Sequence, residues 1–193
     1  IEAIKASRFP ADIQKELEEA VDCKAKTANY ASSAGGGGSC RKHGLKTNRK
    51  KNTKKEDVSL SDFKGKTVIL AFYPGAFTGV CDTEMCKLKE DMEVFNSMDA
   101  VVLGISVDSP WANGAFADKY DLNFDLLSDL HRTATKDYDV LFEGLGGIEG
   151  YTCSNRAVFI VDSEGSIKYR WVAEPNPGVE PDYSEIKEFV KSL

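Results

Sequence analysis

Cys81 and Cys86 stand five positions apart in the stretch PGAFTGVCDTEMC (74–86), behind Pro74 and Thr78 and just after the apolar run TVILAFY (67–73). A cysteine reacts as its thiolate, and an ordinary thiol of pKa near 8.5 is only about 3% ionised at pH 7. Placement can change that. Met85, Leu88, Met92 and Phe95 recur at helical spacing over 83–98, so a helix starts close to Cys81. Backbone N–H groups and the positive end of the helix dipole then face the sulfur. Thr78 lies one turn back, and its hydroxyl can accept a proton from a substrate and donate toward the sulfur. Pro74 is pre-set for a tight turn that shields the pocket from water. The inert alternative makes Thr78 a helix cap and Cys81 a small buried apolar residue. Pro-x-x-x-Thr-x-x-Cys following a buried strand favours a nucleophile.

The elements that must position these residues can be read outward from them. TVILAFY is a β-branched and aromatic run suited to a central strand, and Pro74 and Gly75 end it. AVVLGISV (100–107) is a second buried strand. SPWANGAFADKYD (109–121) opens a helix with Ser109 as N-cap and Pro110 at its first position. A short helix fits 130–138, and LFEGLGGIEG (141–150) reads as a Gly-rich loop. RAVFIVD (156–162) and SIKYRWV (166–172) form a hairpin around SEG, and DYSEIKEFVKSL (182–193) closes as an amphipathic helix. Strand–helix–strand units imply parallel pairing, and the final hairpin adds antiparallel strands. The expected fold is α/β and thioredoxin-like: a mixed central sheet with helices on both faces.

Upstream the chain changes character. ADIQKELEEAVD (11–22) is a short amphipathic helix, ASSAGGGGS (31–39) has the composition of a flexible linker, and 41–55 holds eight Lys and Arg with no Asp or Glu. The expected division is an extension over 1–56, with linker and basic tract, ahead of a domain over 57–193. With 193 residues, the chain suffices for one domain and an appendage. No apolar run approaches the roughly 20 residues of a membrane span. The charged N-terminus is unlike a signal peptide, and the missing initiator Met points to a trimmed chain. Five cysteines, odd and sparse, fit reduced thiols in a cytoplasm-like compartment.

FYPGAFTGVC resembles the active-site segment of the peroxiredoxins, thiol peroxidases acting on hydrogen peroxide and organic hydroperoxides. Their pattern falls on Pro74, Thr78 and Cys81. SNRAVFIVD resembles the family's arginine-led core strand, which lands on Arg156. The resemblance implies that Arg156 holds the cysteine as thiolate and polarises the peroxide, and that Glu84 steadies that arginine. Cys86 is similar in position to the resolving cysteine of the bacterioferritin-comigratory or peroxiredoxin Q group, which implies a Cys81–Cys86 disulfide reduced by thioredoxin or a similar dithiol. Otherwise Cys86 faces the helix core and is inert, with Cys153 a minor alternative resolver. The resemblance covers about 57–192 and implies no metal, haem or flavin, and a monomer or homodimer. Nothing in 1–56 matches the short hairpin with which the family usually begins.

Two rivals stand beside this reading. A thiol–disulfide oxidoreductase on the same fold would favour Cys-x-x-Cys over this wider gap. A polyanion-binding arm over 41–55 lacks interleaved aromatics, which disfavours nucleic acid beyond nonspecific electrostatics. Cys23, Cys40 and His43 make a weak metal set, and His131 reads as a surface residue.

Overall fold

A computed structural model of the chain describes residues 49–193. The expected helix over 11–22, the linker over 31–39, residues 41–48 of the basic tract, and Cys23, Cys40 and His43 lie outside the described residues. In chain order the elements are β1 (Lys50–Lys51), β2 (Asp57–Val58), β3 (Thr67–Phe72), α1 (Gly79–Glu90), α2 (Met92–Ser97), β4 (Ala100–Ser106), α3 (Pro110–Tyr120), β5 (Asp125–Ser128), α4 (Thr133–Asp137), β6 (Leu141–Glu143), β7 (Thr152–Ser154), β8 (Ala157–Val161), β9 (Ile167–Val172) and α5 (Tyr183–Lys191).

Seven strands form one sheet in the order β2-β1-β5-β4-β3-β8-β9, and β6 pairs with β7 alone. β3, β4 and β5 run parallel, while β8 pairs antiparallel with both β3 and β9, so the sheet is mixed as expected. The continuous apolar run of β3 follows from its central place. Val68, Leu70 and Phe72 enter one buried cluster, with Leu103, Ile105 and Phe159; Ile69, Ala71 and Tyr73 enter the other, with Met85, Leu88 and Phe116. Helices α1, α2 and α5 pack on the second cluster, and Ala134 of α4 on the first. On β4, Gly104 has no room for a side chain: a Cβ there would come within 2.5 Å of Leu126 on the neighbouring strand.

Three features differ from the sequence reading. First, the expected boundary at residue 57 cuts a hairpin. β1 pairs with β2, and Lys51 of β1 pairs with Ser128 of β5, so the sheet begins inside the basic tract. The buried Asn52 closes the turn, its Oδ1 accepting from the N–H groups of Lys54 and Glu56 at 3.0 and 2.9 Å. A charge run can enter a sheet when a carboxylate waits for it: Lys50, only 6% exposed, pairs with the fully buried Asp129 at 2.6 Å. Second, the helix expected over 83–98 breaks at Asp91, whose ψ of −1° leaves the α-helical range. Third, β5 and the β6–β7 pair come from segments too short or glycine-rich to show strand alternation.

Candidate active site

The end of β3 delivers the site. After Phe72 the chain turns through Pro74–Gly75–Ala76–Phe77 into α1. Phe77 sits at φ +62°, the left-handed region, which costs about 1–2 kcal/mol for a residue with a side chain. Surrounding bonds hold the turn in place. The Ala76 N–H donates to Asp108 Oδ2 at 2.8 Å, and Ser106 Oγ lies 3.0 Å from the same oxygen. Beneath it, Tyr73 Oη donates to Asn113 Oδ1 at 2.8 Å, and Ser154 Oγ donates to the Tyr73 carbonyl at 2.7 Å.

Thr78 is the N-cap residue of α1 by backbone geometry, but its hydroxyl does not cap the helix. It donates instead to the Gly75 carbonyl at 2.9 Å, which leaves its lone pairs to accept from another donor. Cys81 is the third residue of α1 and is fully buried. The N–H groups of that first turn have no carbonyl one turn back to bond, and Cys81 stands at this positive end of the helix.

Arg156, just ahead of β8, is 1% exposed and spends its donors on three groups. Nη2 donates to Cys81 Sγ at 3.3 Å, Nε donates to the Pro177 carbonyl at 2.9 Å, and Nη1 pairs with Glu84 Oε2. Burial alone would lower the arginine's pKa; the charges of Glu84 and Cys81 outweigh it and raise the value, so the guanidinium stays charged. Glu84 is fully buried, and burial pushes its carboxyl up to about 7 although Arg156 pulls the other way. Nearer the surface, Tyr183 Oη and Lys87 Nζ donate to Glu180 Oε2 at 2.8 and 3.1 Å.

The structure therefore brings Thr78, Cys81, Glu84 and Arg156 together with the Pro74 turn. Cys86 lies further along α1, half-buried, with a free thiol. Cys153, on β7, is also free and is buried, and its thiol is pushed up to about 11, chiefly by burial and then by the Cys81 charge. His131 is exposed. Asp108, Asn113 and the Pro177 carbonyl escaped the sequence reading. Their partners are far away in sequence, and SVDSP after a strand is only a helix-start signal.

The sequence pattern of the AhpC/TSA family matches residues 44–170. Peroxiredoxin Bcp of Bacillus subtilis is 38% identical over 118 residues, covering 60% of this chain and 74% of that protein. The mitochondrial thioredoxin-dependent peroxide reductase of Homo sapiens is also 38% identical, over 59% of this chain and 45% of that protein. Among solved structures, the reduced 2-Cys peroxiredoxin of Plasmodium vivax superposes with a TM-score of 0.64 at 29% identity, covering 74% of this chain and 75% of that one. Peroxiredoxin Q of Xanthomonas campestris gives a TM-score of 0.66 at 23% identity, over 75% of this chain and 89% of that one, a likeness of fold. The chain belongs to the AhpC/TSA family, as one of its peroxiredoxins.

Proposed function

We propose that this peroxidase works through Cys81 as the attacking thiolate, with Thr78 and Arg156 binding the peroxide and Cys86 resolving the product. One observation carries the reading: Arg156 Nη2 lies 3.3 Å from Cys81 Sγ, with both groups buried. A fixed, desolvated positive charge at that distance favours thiolate over thiol. It also leaves a donor beside the position that an incoming peroxide oxygen would take.

The chemistry balances as follows. Cys81 Sγ attacks one peroxide oxygen, an S–O bond forms and the O–O bond breaks. The leaving oxygen takes a proton and departs as water or an alcohol, and Cys81 becomes a sulfenic acid. Thr78 accepts from the peroxide's O–H, while Arg156 and the first-turn N–H groups stabilise charge on the departing oxygen. Cys86 sulfur then attacks Cys81 Sγ, forming a disulfide with loss of water, and a thioredoxin-type dithiol restores both thiols. Cys153 is the weaker resolver because its raised pKa leaves little thiolate at neutral pH. Free thiols at Cys81, Cys86 and Cys153 suit a reducing compartment such as the cytoplasm.

Resolution requires motion. On a helix, positions five apart have Cα atoms about 8.7 Å apart. A disulfide tolerates about 7 Å at most. The first turns of α1 must unwind before the bond can close. The test is turnover of hydrogen peroxide with a dithiol donor by Cys81→Ser. The variant should fold and show no turnover, since a hydroxyl cannot supply the nucleophile; substantial activity would remove Cys81 from the mechanism.

A further inference from the structure

Arg156 is one buried cation facing two groups that can each carry a negative charge. Cys81 Sγ meets Nη2 at 3.3 Å, and Glu84 Oε2 meets Nη1. Cys81 and Glu84 are fully buried and Arg156 nearly so. If both sulfur and carboxyl ionise, the buried trio carries a net charge of −1, which burial penalises. Glu84 Oε1 is also buried and has no hydrogen-bond partner among the described residues. Charge on that oxygen is unsolvated, while a proton there sacrifices no hydrogen bond.

Among the described residues, the groups that face this trio do not supply a second cation. Tyr73, at the end of β3, faces both Cys81 and Glu84, and burial keeps its phenol neutral. From the segment leading into α5, Glu180 adds negative charge toward Glu84, and Tyr183 is a phenol held neutral by burial. Lys87, on α1 itself, is engaged by Glu180.

We infer that Glu84 and Cys81 ionise in opposition across Arg156, so that Glu84 holds the proton whenever Cys81 is the thiolate. This rests on the reading of Cys81 as nucleophile and gives Glu84 more than a steadying part. The raised carboxyl pKa of about 7 agrees with it. Proton accounting then closes on the protein. The thiol's proton resides on Glu84 during attack. Once sulfur is a neutral sulfenic acid, Arg156 faces Glu84 alone; the carboxyl ionises, and the proton it loses balances the one that the departing oxygen takes up. Glu84 acts through Arg156 and is a positioning residue with a charge state of its own.

The experiment is the pH dependence of peroxide consumption for the wild type and Glu84→Gln. A glutamine carbonyl still accepts from Nη1 but carries no charge. In charge it matches the protonated carboxyl that the inference places beside the thiolate, so the acid limb should stay within about half a unit of the wild-type position or move to higher pH. A limb that moves to lower pH by about one unit or more would mean that Glu84 is charged beside the thiolate, and would overturn the inference. Infrared difference spectra give a second readout on unmutated protein. At neutral pH, one equivalent of hydrogen peroxide should remove a protonated-carboxyl band, and that loss should be absent in Glu84→Gln. No such loss in the wild type would also overturn the inference. Cys81→Ser separates the two levels: peroxide consumption by that variant defeats the nucleophile assignment itself, whereas an inactive Cys81→Ser with a Glu84→Gln limb shifted to lower pH defeats only the coupling.

Discussion

Arg156 Nη2 donates to Cys81 Sγ at 3.3 Å, joining residues 75 apart in sequence inside a site that excludes water. Arg156→Ala removes both the charge and the donor. The second-order rate with hydrogen peroxide should fall about a hundredfold or more, the usual effect of losing one donor to developing charge. The acid limb of the pH–rate profile should move upward, because ionisation loses its favourable partner. Arg156→Lys should fall between, since a lysine keeps the charge but cannot form the fork to sulfur, Glu84 and Pro177. Stopped-flow rates across pH would check this, and an unmoved profile in Arg156→Ala would contradict it.

Thr78→Val keeps the shape of the side chain but removes its hydroxyl. The bond to the Gly75 carbonyl at 2.9 Å is lost, together with the acceptor proposed for the peroxide. A rate loss of about tenfold is expected, equivalent to about 1.4 kcal/mol. The pH midpoint should stay near the wild-type value because no charge changes. A midpoint shift as large as that of Arg156→Ala would mean that Thr78 acts on the sulfur's ionisation instead.

Lys50 and Asp129 give a prediction on stability. Asp129 accepts from the Thr135 N–H at 2.7 Å and Thr135 Oγ1 at 2.8 Å, so it tethers the start of α4 while it neutralises Lys50. Lys50→Ala would leave that carboxylate buried with no cation. A loss of about 3–5 kcal/mol in unfolding free energy is expected, with the peroxide rate of folded protein unchanged. Denaturant unfolding measures it, and a loss below about 1 kcal/mol would show that the pair is dispensable.

What was legible in the sequence follows the range of the interactions. The Pro74–Thr78–Cys81 constellation lies within eight residues on one strand–turn–helix, so its chemistry shows locally. Arg156 and Glu84 were reached only through a resemblance, because nothing near Arg156 in sequence says which anion it meets. The hairpin from Lys50 to Val58 was hidden for a physical reason. Eight positive charges in fifteen residues read as a solvated tract, and the compensating Asp129 lies 79 positions away from Lys50. Asp108 and Asn113 escaped for the same reason, since their partners Ala76 and Tyr73 come close only once β3 and β4 are paired. The break at Asp91 left the helical spacing of apolar residues intact, so the pattern could not reveal it.

Unwinding of α1 should be measurable and tunable. Tyr120 Oη donates to Asp82 at 2.6 Å, and Lys89 Nζ reaches the Tyr120 carbonyl at 3.0 Å, tying α1 to the end of α3. Tyr120→Phe removes the first tie without touching either cysteine. Disulfide formation after sulfenic acid should speed up several-fold, and amide exchange over about residues 79–88 should rise in the reduced protein. Cys86→Ser should stall as sulfenic acid and over-oxidise, while Cys153→Ser should turn over. The reverse pattern would make Cys153 the resolver.

The most direct test maps the sulfur that peroxide oxidises first. Reduced protein, freed of reductant, receives one equivalent of hydrogen peroxide and is digested for mass spectrometry. The wild type should lose two hydrogens and yield one linked species joining Cys81 and Cys86, and Cys86→Ser should carry a trappable sulfenic acid on Cys81. Cys81 recovered as a free thiol while Cys86 or Cys153 is oxidised would contradict the account at its centre.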